Sequence, residues 1–367
     1  MIYMASIIKQ FGDEFKQHYH HQLLPSHLKA LSAMETCRSS HSPKMIMQCD
    51  DCSHQMLVPH SCGHRACPHC QNFETQQWIE RQQQKQVPAD YFMLTFTLPA
   101  QFRVLTWHNQ RLIYGLLFQC IWDTLKTFTK NDTELGGLPG AIAVLHTHSR
   151  ELSFHPHLHI VMPAGSIDKK SRLWCYKKWD KNSKKYLFNH NALAKVFRAK
   201  FLDALSISEL KLPSSYPTQW VVNCRHVGKG DKALVYLGRY LYRGVIQEKD
   251  ILSVNNGQVT FRYKNSKTKK YQTKTLPGIH FLWRVLQHIL PRGFRRARDY
   301  GFLHPNSKQL IRILQWVSRL NPTQWIAKIK PRPKMHCSCC GGDMSIVKTK
   351  IPDWAISHQS YPYMTQG

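Results

Sequence analysis

Six of the twelve cysteines crowd into residues 37–70, three more stand at Cys337, Cys339 and Cys340, and only Cys120, Cys175 and Cys224 stand alone. Such crowding limits the chain to folds that gather thiols, either in disulfides or around metals. The opening residues, MIYMASIIKQFGDEF, lack a basic flank, a long apolar run and a small-residue cleavage site. No window approaches ~18 uninterrupted apolar residues. Export and membrane spanning are therefore not expected, and in a reducing cytoplasm the clusters read as metal ligands. The three isolated cysteines read as small buried apolar residues.

Cys49-x2-Cys52 and Cys67-x2-Cys70 are knuckles that each deliver two thiolates, together enough for one tetrahedral Zn²⁺. Their flanks, QCDDCSHQM and RACPHCQ, are too polar to be core. Cys37, His41, Cys62 and His64 could close a second, interleaved Cys2His2 site. Neither set keeps an open coordination position, so the expected role is structural: a small basic module presented to DNA. Cys337-x2-Cys340, beside His336 and with no second knuckle nearby, is half a site and equally consistent with free thiols.

Fifty-one Lys and Arg against 22 Asp and Glu give a formal charge of +29, which folding does not require and a polyanionic partner explains. With 367 residues, 42% of them hydrophobic, the chain is long enough for two or three packed domains.

Apolar residues at helical spacing (Ile7, Ile8, Phe11, Phe15, then Leu23, Leu24, Leu28, Leu31) predict two helices broken near Pro25. A polar helix over 72–86 ends before Pro88. Residues 91–99 predict a buried strand, 107–129 a long amphipathic helix, and 141–149 with 155–165 two adjacent strands. Residues 191–205 read as a helix, 219–227 as a strand and 231–243 as a helix. Without a strict βαβ repeat, this is an α+β chain around a mainly antiparallel sheet. Residues 258–276 read as a hairpin with Phe261, Tyr263 and Tyr271 between lysines, and Arg292–Arg298 as a cluster suited to a phosphate backbone. The expected division is 1–88 (zinc-binding), 89–247 (nuclease), 248–330 (basic, DNA-contacting) and 331–367 (a tail with the half-site).

In HPHLHI, His155, His157 and His159 project from one face of a strand, and the pair flanking Leu158 is suited to a divalent metal. In DKALVYLGRYLYRG, Tyr236 and Tyr240 share a helix face with Arg239 and Arg243, while Tyr242 points away. A phenol with a pKa of about 10 needs a cation or a metal-bound phosphate nearby to attack as phenolate. Two arginines would clamp that phosphate.

Across nearly the whole chain, through RACPHC, AIAVLHTHS, HPHLHIVMPAG, FRAKFLDAL, YLGRYLYR, GQVTFRYK, FLWRVLQHILPRGFRRAR and CSCCGGDM, the sequence resembles the rolling-circle insertion-sequence transposases. The resemblance implies an N-terminal zinc-binding domain joined to an HUH-type two-tyrosine nuclease with a five-stranded antiparallel sheet flanked by helices. It implies His157 and His159 as metal ligands, and Tyr236 and Tyr240 as nucleophiles forming 5′-phosphotyrosine links. His146 is the best third ligand if its strand pairs it with His157; His148 and Glu151 are the alternatives. Where members of the family commonly carry a histidine before the knuckle, this chain has Ala66, and His64 is the candidate substitute. The expected activity is DNA transposition by metal-dependent single-strand nicking and strand transfer, with Mg²⁺ or Mn²⁺ at the histidines. Expected partners are single-stranded DNA and the DNA of the element ends, with no membrane, no small-molecule substrate and a cytoplasmic, nucleoid-associated location. A plasmid replication initiator or relaxase would share the chemistry, and a zinc-containing DNA-binding regulator would lack it.

Overall fold

The structure, a computed structural model, describes residues 2–351 apart from 40, 69, 71, 169, 180–184, 243, 266–267 and 322–333. Its centre is an antiparallel sheet of seven strands. Six lie in the order Leu173–Tyr176, Gly165–Asp168, Leu138–His148, Phe154–Pro163, Tyr91–Thr97, Val222–His226. The seventh, Ala297–Gly301, also pairs with Leu138–His148. Seven strands form where five were implied because Leu138–His148 serves two partners in succession along its length, Ser166 and Ile167 against its first two residues and Ala297–Gly301 against Gly140–Val144.

Strand alternation divides the core. Phe92, Leu94, Phe96, Leu158 and Ile160 face the helices Gln110–Lys130 and His190–Ile207, where Ile113, Leu117, Ile121, Phe197 and Phe201 meet them at helical spacing. Each such side chain, fully withdrawn from water, contributes about 2 kcal/mol before chain entropy is counted. Tyr91, Val144 and Val161 face the other way, onto the helices Asp231–Tyr242 and Asn72–Gln83. The histidines and tyrosines of interest are on this second side.

Two further bodies join residues distant in sequence. Met4–His18 and Pro25–Glu35 bury Phe11, Phe15 and Leu31 together with Phe261, Phe281 and Leu282 from a three-stranded sheet (Ile251–Asn255, Gln258–Lys264, Tyr271–Pro277) and the helix Gly278–Leu286. The expected segments 1–88 and 248–330 thus share one core. A second three-stranded sheet is made by Lys44–Cys49, flanked by Gln55–Pro59 and by Met344–Lys350 from the expected tail. The linear division missed both associations, since composition along a chain carries no record of pairings that close long loops. Among the described residues no helix is long and apolar enough to cross a membrane.

Candidate active site

His146 pairs directly with His157 across the neighbouring strands Leu138–His148 and Phe154–Pro163. With His159 two residues on, three imidazoles share one sheet face, their ligand atoms within 4.8 Å of one another. Nδ1 of His157 donates to its own strand, at the His155 carbonyl (2.6 Å), which leaves Nε2 with its electron pair. Nδ1 of His159 is bonded to the Thr95 hydroxyl at 2.9 Å. Nε2 of His146 is buried and without a hydrogen-bond partner among the described residues. Burial lowers all three pKa values, that of His157 to about 4 and that of His159 to about 3, so the rings are neutral at pH 7. Neutral rings, two of them oriented through Nδ1, with the orphaned buried Nε2 of His146 among them, suit a divalent metal. The alternatives go elsewhere: His148 bonds Tyr240, and Glu151 faces Lys274 at 3.6 Å. His155 is bonded to Arg103 instead.

The helix Asp231–Tyr242 buries Ala233, Leu234, Leu237 and Leu241 and turns Tyr236 and Tyr240 to the histidines. Gly238 sets its seating, for any Cβ there would run into Ile79 and the Trp78 ring of the helix Asn72–Gln83. Tyr240 stacks on His146 and its hydroxyl lies 2.7 Å from Nδ1 of His148. Tyr236 is 46% exposed, with its ring 5.7 Å from that of His159. Burial raises both phenol pKa values; Arg150 and Arg225 oppose the rise at Tyr236, and Arg296 opposes it at Tyr240.

The arginines differ from those that the helix face suggested. Arg239 is exposed, while Arg243 and the side chain of Tyr242 lie outside the described residues. The Arg296 guanidinium stands 5.0 Å from the Tyr240 ring centroid and donates to the carbonyls of Leu145 (3.1 Å) and Leu241 (3.2 Å). Carbonyl partners hold that cation without neutralising it. Helical spacing could not show it, because Arg296 arrives from a distant segment beside the sheet.

The cysteines form two groups, Cys37 with Cys62, Cys67 and Cys70, and Cys49 with Cys52, Cys337 and Cys340. This exchanges partners relative to the expected pairing of the two knuckles. His64 instead accepts a hydrogen bond from the Ala66 amide, and exposed His41 belongs to neither group. The reason is topological: the strand Lys44–Cys49 carries its knuckle away from Cys67 and Cys70, which pack beneath the N-terminal helices. Within the first group Sγ atoms are 3.5–3.7 Å apart, well beyond the ~2.05 Å of a disulfide. The loop that carries Cys67 abuts the segment just after the tyrosine helix. Arg65 donates to the carbonyls of Leu290, Pro291 and Phe294, and Gly244 lies flush against Ala66 and Pro68.

The putative transposase y4qJ of Sinorhizobium fredii (strain NBRC 101917 / NGR234) is 30% identical over 323 residues, which cover 82% of this chain and 80% of that protein. Residues 140–310, which carry the histidines and tyrosines, match the family model described as "Putative transposase" (Y2_Tnp), and residues 7–98 match the "Transposase zinc-binding domain" of IS91 type. The chain belongs to the IS91 family of insertion-sequence transposases. The transposase of insertion sequence IS801 from Pseudomonas savastanoi pv. phaseolicola is also 30% identical, over 274 residues that cover 69% of this chain and 63% of that one. No solved structure matches this chain.

As a DNA-acting protein, this transposase places its basic residues unevenly. A cleft of about 1330 Å³ is lined by Arg81, Lys85, Arg111, Arg295, Arg298 and Arg312, with the Trp78 and Tyr300 side chains among them. The Arg292–Arg298 cluster therefore divides, Arg296 turning in to Tyr240 while Arg295 and Arg298 face the cleft. Of the three hairpin aromatics, Phe261 is core, Tyr263 is half-buried, and Tyr271 is 65% exposed under the Arg262 guanidinium.

Proposed function

We propose that this transposase is an HUH-type single-strand endonuclease that nicks and rejoins DNA at the element ends through 5′-phosphotyrosine intermediates. The observation that carries this reading is the meeting of three neutral imidazoles with two phenols on one sheet face. His146, His157 and His159 would hold Mg²⁺ or Mn²⁺, whose positive charge would polarise the scissile phosphate. A donor set of three nitrogens suits Mn²⁺ better than the harder Mg²⁺.

Everything else falls to the chain. A tyrosine Oη attacks phosphorus in line, the new bond is the phosphotyrosine ester, and the bond broken is the one to the 3′ oxygen, which departs as a hydroxyl after taking a proton. His148 accepts the proton of Tyr240, and Arg296 favours the phenolate. Attack of a 3′-hydroxyl on the phosphotyrosine reverses the step and joins strands without an external energy source. Two tyrosines allow two 5′ ends to be held at one site. The segment 89–247 supplies the histidines and tyrosines, Arg296 joins them from beyond it, the basic cleft tracks the backbone by charge, and the exposed Tyr271 ring of the hairpin stacks an unpaired base.

Covalent capture tests the reading. With Mn²⁺ and single-stranded oligonucleotides spanning the element ends, the chain is expected to form an adduct that survives denaturing electrophoresis. A purely DNA-binding regulator would retain DNA on a native gel and form none.

A further inference from the structure

Away from the histidines and tyrosines, two turns from opposite ends of the chain meet. Cys49 and Cys52 occupy the turn of the hairpin Lys44–Cys49 and Gln55–Pro59, and Cys337 and Cys340 occupy the turn before the strand Met344–Lys350, which pairs Met344 with Cys49. Both turns are backbone-bonded: Cys49 N–H donates to the His54 carbonyl (2.9 Å), Cys337 N–H to the Gly342 carbonyl (2.8 Å) and Gly341 N–H to the Cys337 carbonyl (3.0 Å). The Cys339 amide donates to Sγ of Cys337 at 3.3 Å, an arrangement that favours a thiolate. Sγ of Cys49 is 3.4 Å from that of Cys340, Sγ of Cys52 is 3.7 Å from that of Cys337, and all four lie within 4.8 Å.

The fit is close enough to exclude side chains. A Cβ on Gly342 would strike the Asp51 carboxylate and come within 3.2 Å of Sγ of Cys49. Burial does little to hold this contact: the core beneath it is Met47, Cys49, Val58, Cys337 and Met344, and after Met344 the strand is exposed along its length. A sheet this small needs a staple, and the sulfur separations are too long for disulfides.

The geometry points to a second structural Zn²⁺ site, made by Cys49, Cys52, Cys337 and Cys340, that clasps the C-terminal strand onto the N-terminal domain. Four thiolates in a closed set are the donors of a structural zinc, and the energy of binding is then the energy that fixes the strand. Cys37, Cys62, Cys67 and Cys70 supply the other closed set, so the chain carries two.

The test uses the full chain with His157→Ala and His159→Ala, so that imidazoles add nothing to the metal count. Zinc analysis should give two ions per chain, falling to one in the further variant Cys337→Ser with Cys340→Ser, where proteolysis between residues 334 and 351 should also accelerate. Should that variant fail to fold, the parent loaded with Co²⁺ decides: its sulfur-to-cobalt charge-transfer absorbance titrates over two equivalents if both sites exist and over one if only the first does. A single zinc in the parent, two retained without Cys337 and Cys340, or disulfides joining Cys49 to Cys340 or Cys52 to Cys337 would overturn the site. None of these readouts depends on nicking, so the site can fail while the nuclease reading stands.

Discussion

The hydroxyl of Tyr240 lies 2.7 Å from Nδ1 of His148, while Tyr236, one turn earlier on the same helix, is 46% exposed near the ring of His159. Chemically similar residues thus occupy different environments. On the proposed nuclease reading, the exposed phenol would be open to an incoming strand, whereas the inner one, already bonded to His148 as its base, would wait for the strand to reach it.

The two tyrosines should therefore be unequal. Tyr236→Phe should abolish the first covalent adduct with a short single-stranded substrate, while Tyr240→Phe should leave that adduct and block completion of strand transfer. His148→Gln should slow the Tyr240-dependent step by about 10²-fold, the contribution of a general base. Rapid-quench assays of each variant measure both steps, and equal behaviour of the two Phe variants would contradict the assignment.

The environment of Tyr240 also fixes a pH dependence. Burial raises its pKa, and Arg296 opposes that rise. With Tyr236 intact and the Tyr240-dependent step followed by rapid quench, Arg296→Met should move the rising limb of the pH–rate profile of that step to higher pH, because the phenolate loses the Arg296 cation. An unmoved limb would place the influence of Arg296 elsewhere.

Thr95 touches His159 alone among the three imidazoles. Thr95→Val should weaken Mn²⁺ activation by about 10–100-fold, the usual cost of removing a partner that orients a ligand. The reading is the Mn²⁺ concentration for half-maximal nicking, and no change would mean that His159 does not bind the metal.

Packing at Gly238 makes a mechanical prediction. Gly238→Ala pushes a methyl into Ile79 and Trp78 and should cost roughly 1–3 kcal/mol while shifting the tyrosines away from the histidines. Gly115→Ala, where a Cβ meets nothing within 4 Å, should instead stabilise its helix by about 0.5–1 kcal/mol. Urea midpoints measure both, with adduct yield lost only in the first.

His27 is fully buried, and burial lowers its pKa to about 4. Between pH 6.5 and 4 the unfolded chain takes up a proton that the folded chain refuses. The contribution is complete above pH 6.5 and falls away with acid, by about 3 kcal/mol near pH 4. His27→Leu should flatten the acid limb of a stability–pH curve; a limb of unchanged slope would assign the loss to other groups.

Local periodicity made much of this site legible. Alternation along HPHLHI put His157 and His159 on one face, and helical spacing put Tyr236 and Tyr240 together. Only the register paired His146 with His157, which a slip of one residue would have undone. The cysteine partners were hidden because Cys49 and Cys340 are brought together by a strand pairing that closes nearly the whole chain. The same holds for Arg296, whose place beside Tyr240 depends on how a distant segment meets the sheet and not on any spacing near the tyrosines.

The central claim, tyrosine-mediated covalent nicking, is tested most directly by mass spectrometry of peptides from the chain trapped on single-stranded element-end DNA in Mn²⁺. The account predicts a nucleotide attached through a 5′ phosphate to Tyr236 or Tyr240, and no adduct in Tyr236→Phe with Tyr240→Phe although that variant still binds DNA. An adduct on another residue, or one that persists in the double variant, would contradict it.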